Sequence, residues 1–292
     1  TFRILDIADL TVDGSLGTGG AVCIMLMLSG QNVWVSMAGA TAAGMAAGLA
    51  TGILHTFMGI PAILAGILTQ LGLYSINLKT MGKANQAINV DKYDLLVSLR
   101  FIRKVPFYRN TILMVAITII ILIAVLYWFF GTELGASLRA TGSNPNMSRA
   151  QGINTNTAKV LGLVVSNGLV ALAGGLLAQY QGSATIDMGR GAIVIGLAAV
   201  IIGEVLLDKV FRNFALKLLS AVIGAIIYYV VITVVLRLGL ESTDLKLLTA
   251  LVVAVFLSIP YWKGKYFHAS VKAGGADVSA EAEASIGGDR NA

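Results

Sequence analysis

The side chains of this sequence that could do chemistry are isolated carboxylates, amides and hydroxyls set inside apolar segments. Charged groups in lipid are costly unless they are sheltered, so each of them needs a structural or a functional reason. Asp6, Asp9 and Asp13 interrupt the segment FRILDIADLTVDG near the start. They predict either a helix break beside a translocation route or an interfacial loop whose carboxylates cap the next helix. For Asp13, the role of N-cap is the favoured interpretation.

Further polar residues lie within or beside apolar runs. Gln70 and Asn77 are seven residues apart on one helix face, where they can line a polar path or form interhelical hydrogen bonds. The same two interpretations apply to Ser166 and Asn167. Glu204, in AAVIIGEVLL, either faces a cavity or extends to the membrane surface. The sequence therefore predicts a translocation path lined by Asp9, Asp13, Gln70, Asn77, Ser166, Asn167 and Glu204.

The residue types argue against an independent catalytic centre. The two histidines, His55 and His268, and the one cysteine, Cys23, have no recognisable metal-ligand spacing. Gly82 and Lys83 lack the preceding glycine and the following hydroxyl residue of a nucleotide-binding loop, and no nucleophile elbow is present. Cys23 is best explained as a small packing residue. We therefore expect no enzymatic activity, no metal and no cofactor.

A polar island, residues 138–159 (LRATGSNPNMSRAQGINTNTAK), separates two long apolar stretches and carries the local code for a short helix. Asn144 is a good N-cap, and Pro145 occupies the first helical position, where its missing N–H costs nothing. Gly152 can adopt the left-handed conformation that ends a helix. A capped helix of about two turns, placed between two spans, is suited to being pushed by a soluble partner.

The elements that must position these residues are membrane-spanning helices. The chain is 57% hydrophobic and only 12% charged, whereas an ordinary soluble domain is about a quarter charged. A span needs about 20 apolar residues. Small residues recur every four positions at Ala40, Gly44, Gly48 and Gly52, which favours a buried helix–helix face. We predict an all-α, polytopic transmembrane bundle with eight spans or part-spans, at about 14–30, 33–54, 60–78, 111–131, 158–180, 191–207, 212–237 and 244–262.

Basic residues between the spans predict the orientation of the bundle. Three basic regions, in the polar island, at 209–212 and after residue 262, fall on one side, which is assigned to the cytoplasm. Residues 79–110 then lie outside, although their seven basic residues and two aspartates contradict the rule. The short segment 191–207 is equally consistent with a broken or re-entrant helix. We expect a transmembrane domain at 1–262 and a disordered cytoplasmic tail at 263–292.

The polar island resembles the cytoplasmic loop of bacterial ABC-importer permeases of the branched-chain amino acid/ribose type. In that family an LRA-x-G-x-NP…A-x-x-x-GI pattern forms the helix that contacts the ATPase. DLTVDGSLGTGGAV, GLVVSNGLVALAGGLLAQYQG and IDMGRGAIVIGLAAVIIGEVLL resemble other segments of the family, so the similarity runs from about residue 2 to residue 262. By position, the residues that would form the ATPase-coupling helix and its cap are Asn144, Pro145, Ser148, Arg149, Gly152 and Ile153.

The resemblance implies the permease subunit of an ATP-driven importer in the bacterial cytoplasmic membrane, working as a homodimer with the substrate path between two copies. It implies cytoplasmic ATPase subunits and an extracytoplasmic substrate-binding protein as partners, besides membrane lipid; nucleic acid is not expected. In the family a further span precedes the DLTVDG region, so we expect one N-terminal span to be missing from this sequence.

The resemblance also bears on the substrate. The DLTVDG form is most similar to permeases found with tryptophan/tyrosine-type binding proteins, which favours an aromatic or branched-chain amino acid. GEVLLDKVF departs from the GG-rich ending of the sugar relatives, so a sugar or other small solute is the less favoured substrate. A secondary transporter or channel that works without an ATPase is the alternative class.

Overall fold

The computed structural model of this chain describes residues 1–90, 92–93, 95–98, 110–207 and 213–237, together with seven residues between 247 and 258. The tail predicted at 263–292 lies outside the described residues, as do the basic residues within 99–109 and most of the span predicted at 244–262. Two compact units make up the chain, residues 1–193 and residues 194–292.

The described chain is mostly helical, which confirms the predicted polytopic all-α bundle. Six of its helices are long and apolar enough to cross a membrane, and α9 is a shorter apolar helix. Each of the first seven predicted spans coincides with one helix, with ends that agree within about three residues. In chain order the described elements are α1 (Phe2–Leu5), α2 (Thr11–Leu28), α3 (Val33–Thr56), α4 (Ala62–Met81), β1 (Asn85–Ala87), α5 (Thr111–Gly131), α6 (Glu133–Ser143), α7 (Pro145–Ala150), α8 (Thr155–Gln181), β2 (Ser183–Thr185), α9 (Ala192–Leu207) and α10 (Phe214–Arg237).

The first unit is organised around α8, which packs against both α2 and α3. The small-residue stripe of α3 lies in this contact, and Ala40 is fully buried, so the predicted helix–helix face is confirmed. A Cβ added at Gly48 would lie 2.8 Å from the carbonyl carbon of Leu163 and nearer still to its oxygen. The two backbones can approach this closely because glycine has no side chain.

α2 begins inside the bundle rather than at its surface. α1 ends at Leu5, Asp6 adopts a left-handed conformation with φ of 54°, and α2 starts only at Thr11. The Asp9 side chain in the intervening segment bonds Asn167, which lies twelve residues after the first residue of α8. At 1.5 Å per residue that is about 18 Å along α8, close to its middle. The predicted break in FRILDIADLTVDG is therefore present, at mid-depth of the bundle.

The bundle of the first unit has an island end, where α3 ends beside the first turns of α8 and close to the polar island, and a far end, where α2, α4 and α8 end. At the far end β1 pairs antiparallel with β2, with Gln86 opposite Ala184. Ile88, Leu95 and Val97, which follow β1, are buried. The described part of the segment 79–110 thus lies at the opposite end from the polar island, as the span count predicted.

The second unit contains a close helix pair. α9 and α10 run antiparallel, and a Cβ at Gly203 would overlap the carbonyl oxygen of Ser220. Ile202 and Tyr228 are buried between them together with Val253. With 16 residues, α9 is the shortest of the apolar helices, which agrees with its being the weakest predicted span.

Candidate functional site

The polar island folds into α7, a short helix held between α6 and α8. Asn144 is its N-cap, and the side-chain oxygen accepts a hydrogen bond from the Met147 N–H at 3.0 Å. Pro145 takes the first helical position. Gly152, with φ of 84°, follows the helix, and the Ile153 N–H donates back to a carbonyl of α7. The predicted helix and its predicted caps are therefore present.

α7 exposes nearly all of its surface. Every residue from 144 to 152 is exposed except Ser148, whose buried hydroxyl donates to the Asn144 carbonyl at 2.9 Å. Met147, which the sequence analysis did not single out, is 60% exposed. The Arg149 Nε donates to the Thr155 hydroxyl at 2.9 Å, so the guanidinium rests partly against the start of α8. Its other N–H groups remain available to a partner, because a guanidinium carries five.

α7 is connected to the interior of the first unit at both ends. α6, a helix that the sequence analysis missed, precedes it and packs on α1, where Gly142 lies against the Ile4 carbonyl. α8 follows it directly, and Gly162 of α8 lies against Leu5 of α1. Leu5, Leu138 and Leu163 form one buried apolar cluster. A displacement of α7 would therefore reach α1 and α8 through packed side chains.

Two of the predicted path residues, Asp9 and Asn167, are buried together. Asp9 is 3% exposed and Asn167 is fully buried. The two oxygens of the Asp9 carboxylate accept hydrogen bonds from the Thr11 N–H at 3.0 Å and the Asn167 Nδ2 at 2.7 Å. The Ser15 hydroxyl donates to the Asn167 Oδ1 at 2.6 Å. These bonds satisfy polar groups that the break before α2 would otherwise leave unpaired.

A chain of threonine hydroxyls extends this network to two more helices. The Thr11 hydroxyl is 2.7 Å from that of Thr51 in α3, and Thr51 donates to Thr69 in α4 at 2.9 Å. Thr69 in turn donates to the Ala65 carbonyl of its own helix at 3.0 Å. The network therefore ties α2, α3, α4 and α8 together near the helix break.

Asp13 is not the N-cap of α2, and the sequence prediction was wrong on this point. α2 starts at Thr11, earlier than predicted, so Asp13 already lies in its first turn. Its carboxylate instead accepts hydrogen bonds from the N–H groups of Gly191 at 2.9 Å and Ile193 at 3.1 Å. These are donors at the start of α9 that have no partner within that helix. The negative charge also complements the helix dipole there.

Gln70 and Asn77 lie on the side of α4 that faces α2. A Cβ added at Gly14 would be 3.1 Å from the Gln70 Cα, and one added at Gly17 would be 3.4 Å from the Asn77 Nδ2. Gln70 is half-buried, whereas Asn77 is 2% exposed. Asp13 lies one turn before Gly17, so the structure places these three predicted residues along one side of α2.

The last two predicted path residues stand apart from these groups. Ser166 is half-buried on α8 and shares no hydrogen bond with the other predicted residues that the structure describes. Glu204 is half-buried on α9, in the second unit. That the seven residues line a path stays a prediction for all of them.

Gln179 is a structural residue that the sequence analysis missed. It is fully buried, and its Oε1 accepts a hydrogen bond from the Leu96 N–H at 3.0 Å. Its Nε2 donates to the sulfur atoms of Met37 at 3.1 Å and Cys23 at 3.4 Å. The amide thus anchors the segment after β1 to α2 and α3, and Cys23 is a buried packing residue, as predicted. The described residues contain no group of three or more His, Cys, Asp or Glu that could hold a metal ion.

Substituting Asn167 with alanine is expected to destabilise the protein by more than an ordinary surface change. The substitution leaves the buried Asp9 carboxylate and the Ser15 hydroxyl each without one partner, at a cost of about 1–3 kcal/mol or more. The neighbouring Ser166→Ala is the matched control and should be near neutral. The measurement is the fraction of protein that stays monodisperse after heating in detergent. Equal heat resistance of the two variants would contradict the described network.

Comparison with known proteins gives a consistent picture. The family model of the branched-chain amino acid transport system permease component matches residues 1–258. The tyrosine transport system permease protein of Clostridioides difficile (strain R20291) is 37% identical over 258 residues, which are 88% of this chain and 83% of that protein. The uncharacterized protein RP368 of Rickettsia prowazekii (strain Madrid E) is 34% identical over 260 residues, 88% of this chain and 89% of that protein.

A more distant similarity covers part of the chain. The fructose import permease protein FruF of Bifidobacterium longum (strain NCC 2705) is 31% identical over 169 residues, 57% of this chain and 46% of that protein. No solved structure matches.

Proposed function

This chain belongs to the family of branched-chain amino acid transport system permease components, and from that premise we propose that it imports an amino acid at the expense of ATP hydrolysed by a separate subunit. It is a permease subunit of an importer and a multi-pass protein of a bacterial cytoplasmic membrane. The chain is a transport subunit, and the energy for import comes from a partner.

The substrate that the similarities support best is an amino acid, with tyrosine as the first candidate. The relative named for tyrosine transport is 37% identical and matches most of both chains. The relative named for fructose import matches about half of each chain. A sugar is therefore the second candidate, supported by a shorter and weaker similarity.

The observation that carries the coupling proposal is the exposed, doubly anchored helix α7. Its caps fix its ends, its surface from residue 144 to residue 152 is exposed except at Ser148, and it is packed to α1 and α8 through its neighbours. The exposed side chains of Met147 and Arg149 offer an apolar contact and a cation to a cytoplasmic ATPase. The functional set for this contact is Asn144, Pro145, Ser148, Arg149, Gly152 and Ile153, with Met147 added.

The same proposal fixes the orientation and the other partners. The island end faces the cytoplasm, and the far end faces the substrate-binding protein on the other side of the membrane. Two copies of the chain form the transporter, and the rest of the apolar surface meets lipid. α5 supports this view, because none of its most apolar window is buried within the described chain and such a surface needs lipid or a second copy.

Import begins with a displacement of α7 by the ATPase subunits. Closure of the ATPase subunits displaces α7, and α6 and α8 transmit the displacement to α1 and to the Asp9–Asn167 network. The spans then rock between an outward-facing and an inward-facing state. ATP can do work on the substrate only if the two states bind it with different affinity.

The test is reconstitution of the permease with an ATPase and a binding protein from the same organism. ATP inside the proteoliposomes should drive uptake of labelled L-tyrosine, and omission of ATP or of the ATPase should abolish it. Labelled fructose is the matched control substrate and should not accumulate. Uptake by the permease alone, driven by an ion gradient, would instead establish the secondary-transporter alternative.

A further inference from the structure

After β2 the chain turns back into the first unit along α2. A Cβ added at Gly17 would be 3.3 Å from the carbonyl oxygen of Ile186, and Gly189 packs directly against the carbonyl of Asp13. These two contacts step from Gly17 toward the start of α2, which is the direction away from the far end. The turn formed by residues 186–191 therefore enters the bundle from the far end.

The turn reaches the middle of the membrane-spanning bundle. Its last residue, Gly191, donates its N–H to the Asp13 carboxylate at 2.9 Å. Ser15, two positions after Asp13, bonds Asn167 near the middle of the 27-residue α8. Asp13 also precedes Leu28, the last residue of α2, by 15 residues, which is about 22 Å along the helix. Since the hydrocarbon core of a bilayer is about 30 Å thick, the turn ends deep inside it.

Two opposite charges project from this turn. Arg190 lies between the two glycines that contact Asp13, and its Nε is 2.9 Å from the Oδ1 of Asp187. The side chains of Arg190 and Asp187 are 67% and 59% exposed. At this depth, charged groups and non-helical backbone are tolerated only inside protein or beside a water-filled space. Because the pair is exposed on the surface of the chain, it faces such a space and not lipid.

The fold does not account for these two charges. An exposed ion pair contributes about 0–1 kcal/mol to stability. The turn is already formed by backbone hydrogen bonds, from the Arg190 N–H to the Asp187 carbonyl and from the Ala192 N–H to the Gly189 carbonyl, each at 3.0 Å. Ionisable groups within a membrane are costly, so a pair that the turn does not need indicates a function.

The chemistry of the pair fits the main-chain end of an amino acid. A guanidinium can hold a carboxylate through two parallel hydrogen bonds, and a carboxylate accepts hydrogen bonds from an ammonium group. The zwitterion can therefore insert between Arg190 and Asp187 and replace one ion pair by two. A sugar carries neither charge. When the ligand leaves, the pair re-forms, and this competition keeps binding weak enough for release.

We propose that Asp187 and Arg190 form a subsite that binds the ammonium and carboxylate groups of the transported amino acid. This inference rests on the proposed function, and it adds both a location and a reason why an amino acid is carried in preference to a sugar. Each copy of the chain presents one such pair to the water-filled path between the two copies.

The first experiment measures binding of labelled L-tyrosine to the purified permease–ATPase complex in nanodiscs, without the binding protein. Arg190→Gln and Asp187→Asn should each weaken binding about tenfold or more, because each removes a hydrogen bond between charged groups. Arg190→Lys keeps the charge and should lose less. Tyramine lacks the carboxylate, so the wild type should prefer L-tyrosine, whereas Arg190→Gln should bind the two ligands about equally.

Lys83→Gln is the matched control, since it neutralises an exposed cation near the far end and should leave binding unchanged. The variants at Arg190 and Asp187 change exposed side chains and should remain folded, as checked by size-exclusion chromatography. Equal binding by the wild type and Arg190→Gln, or no binding by the wild type, refutes the subsite. Uptake by the complete wild-type transporter then separates the two hypotheses: tyrosine import without the subsite leaves the function standing, whereas no import overturns both.

The second experiment tests whether the pair is in water. The Arg190→Cys variant should react with a charged, membrane-impermeant thiol reagent, and L-tyrosine should slow the reaction. The native Cys23 is fully buried and should contribute little background. Ile121→Cys, at an exposed position near the middle of α5, is the matched control and should not react. An unreactive Arg190→Cys variant would place the pair outside the path and overturn the proposal.

Discussion

Reversing the charge at Arg149 is expected to abolish ATP-driven uptake while leaving folded protein in the membrane. Arg149 is exposed on α7, so the substitution Arg149→Glu buries nothing and removes no core contact. If the ATPase presents a carboxylate to this side chain, the variant loses a charged pair and gains a repulsion. Loss of such a pair costs about 2–5 kcal/mol, which is about 30-fold or more in affinity. The measurements are uptake into proteoliposomes and substrate-stimulated ATP hydrolysis, and both should fall together.

Thr155→Val is the control that separates loss of the Arg149 charge from loss of the Arg149–Thr155 hydrogen bond. It removes the acceptor of the Arg149 Nε hydrogen bond but leaves the charge on the surface of α7. Uptake by Thr155→Val should remain within about fivefold of the wild type, because one ordinary hydrogen bond is worth about 1 kcal/mol. If Thr155→Val fails as completely as Arg149→Glu, Arg149 only holds α7 against α8. Full uptake by Arg149→Glu would exclude it as a contact for the ATPase.

A large loss of stability is expected from the substitution Gly48→Ala in α3. The added methyl group would overlap the Leu163 carbonyl and lie 2.9 Å from the Val164 Cα. Since these are backbone atoms, relief requires α3 and α8 to move apart along their whole contact. Overpacking usually costs about 1–3 kcal/mol, and a clash with backbone belongs at the upper end. The yield of monodisperse protein and its resistance to heating in detergent should both fall sharply.

Gly72→Ala provides the matched control for that experiment. Gly72 is exposed on α4, and a Cβ there would meet no atom within 4 Å. Alanine is the better helix former by about 1 kcal/mol, so this variant should equal or exceed the wild type in heat resistance. If the Gly48→Ala variant proved as stable as the Gly72→Ala variant, α3 and α8 could not be in close backbone contact.

Much of this fold could be predicted from local sequence features. The apolar runs located the long helices, because a span needs its length and its apolar surface in one continuous stretch. The four-residue spacing from Ala40 to Gly52 predicted the face that packs on α8. Asn144, Pro145 and Gly152 predicted both ends of α7, since caps act within a few residues of themselves.

Features that depend on distant partners could not be predicted in the same way. Asp13 looked like an N-cap, but α2 begins earlier, with Leu10 as its N-cap, and the nearby Asp9 carboxylate accepts the Thr11 N–H. The Asp13 carboxylate instead accepts hydrogen bonds from N–H groups at residues 191–193, about 180 positions away in the chain. Gln179 gave no local signal, because its partners Leu96 and Cys23 come from other segments.

The hydrogen bond between Asp9 and Asn167 also determines when α2 can reach its final state during synthesis of the chain. The two residues are separated by 158 positions, so Asp9 is synthesised long before its partner. At the usual pace of translation, about 5–20 residues per second, the interval is about 8–30 s. During that interval the break before α2 must be hydrated or sheltered by the insertion machinery, because the only other hydrogen bond that the described chain gives the Asp9 carboxylate comes from the nearby Thr11 N–H. α2 thus emerges early from the ribosome and reaches its final state only when the middle of α8 arrives.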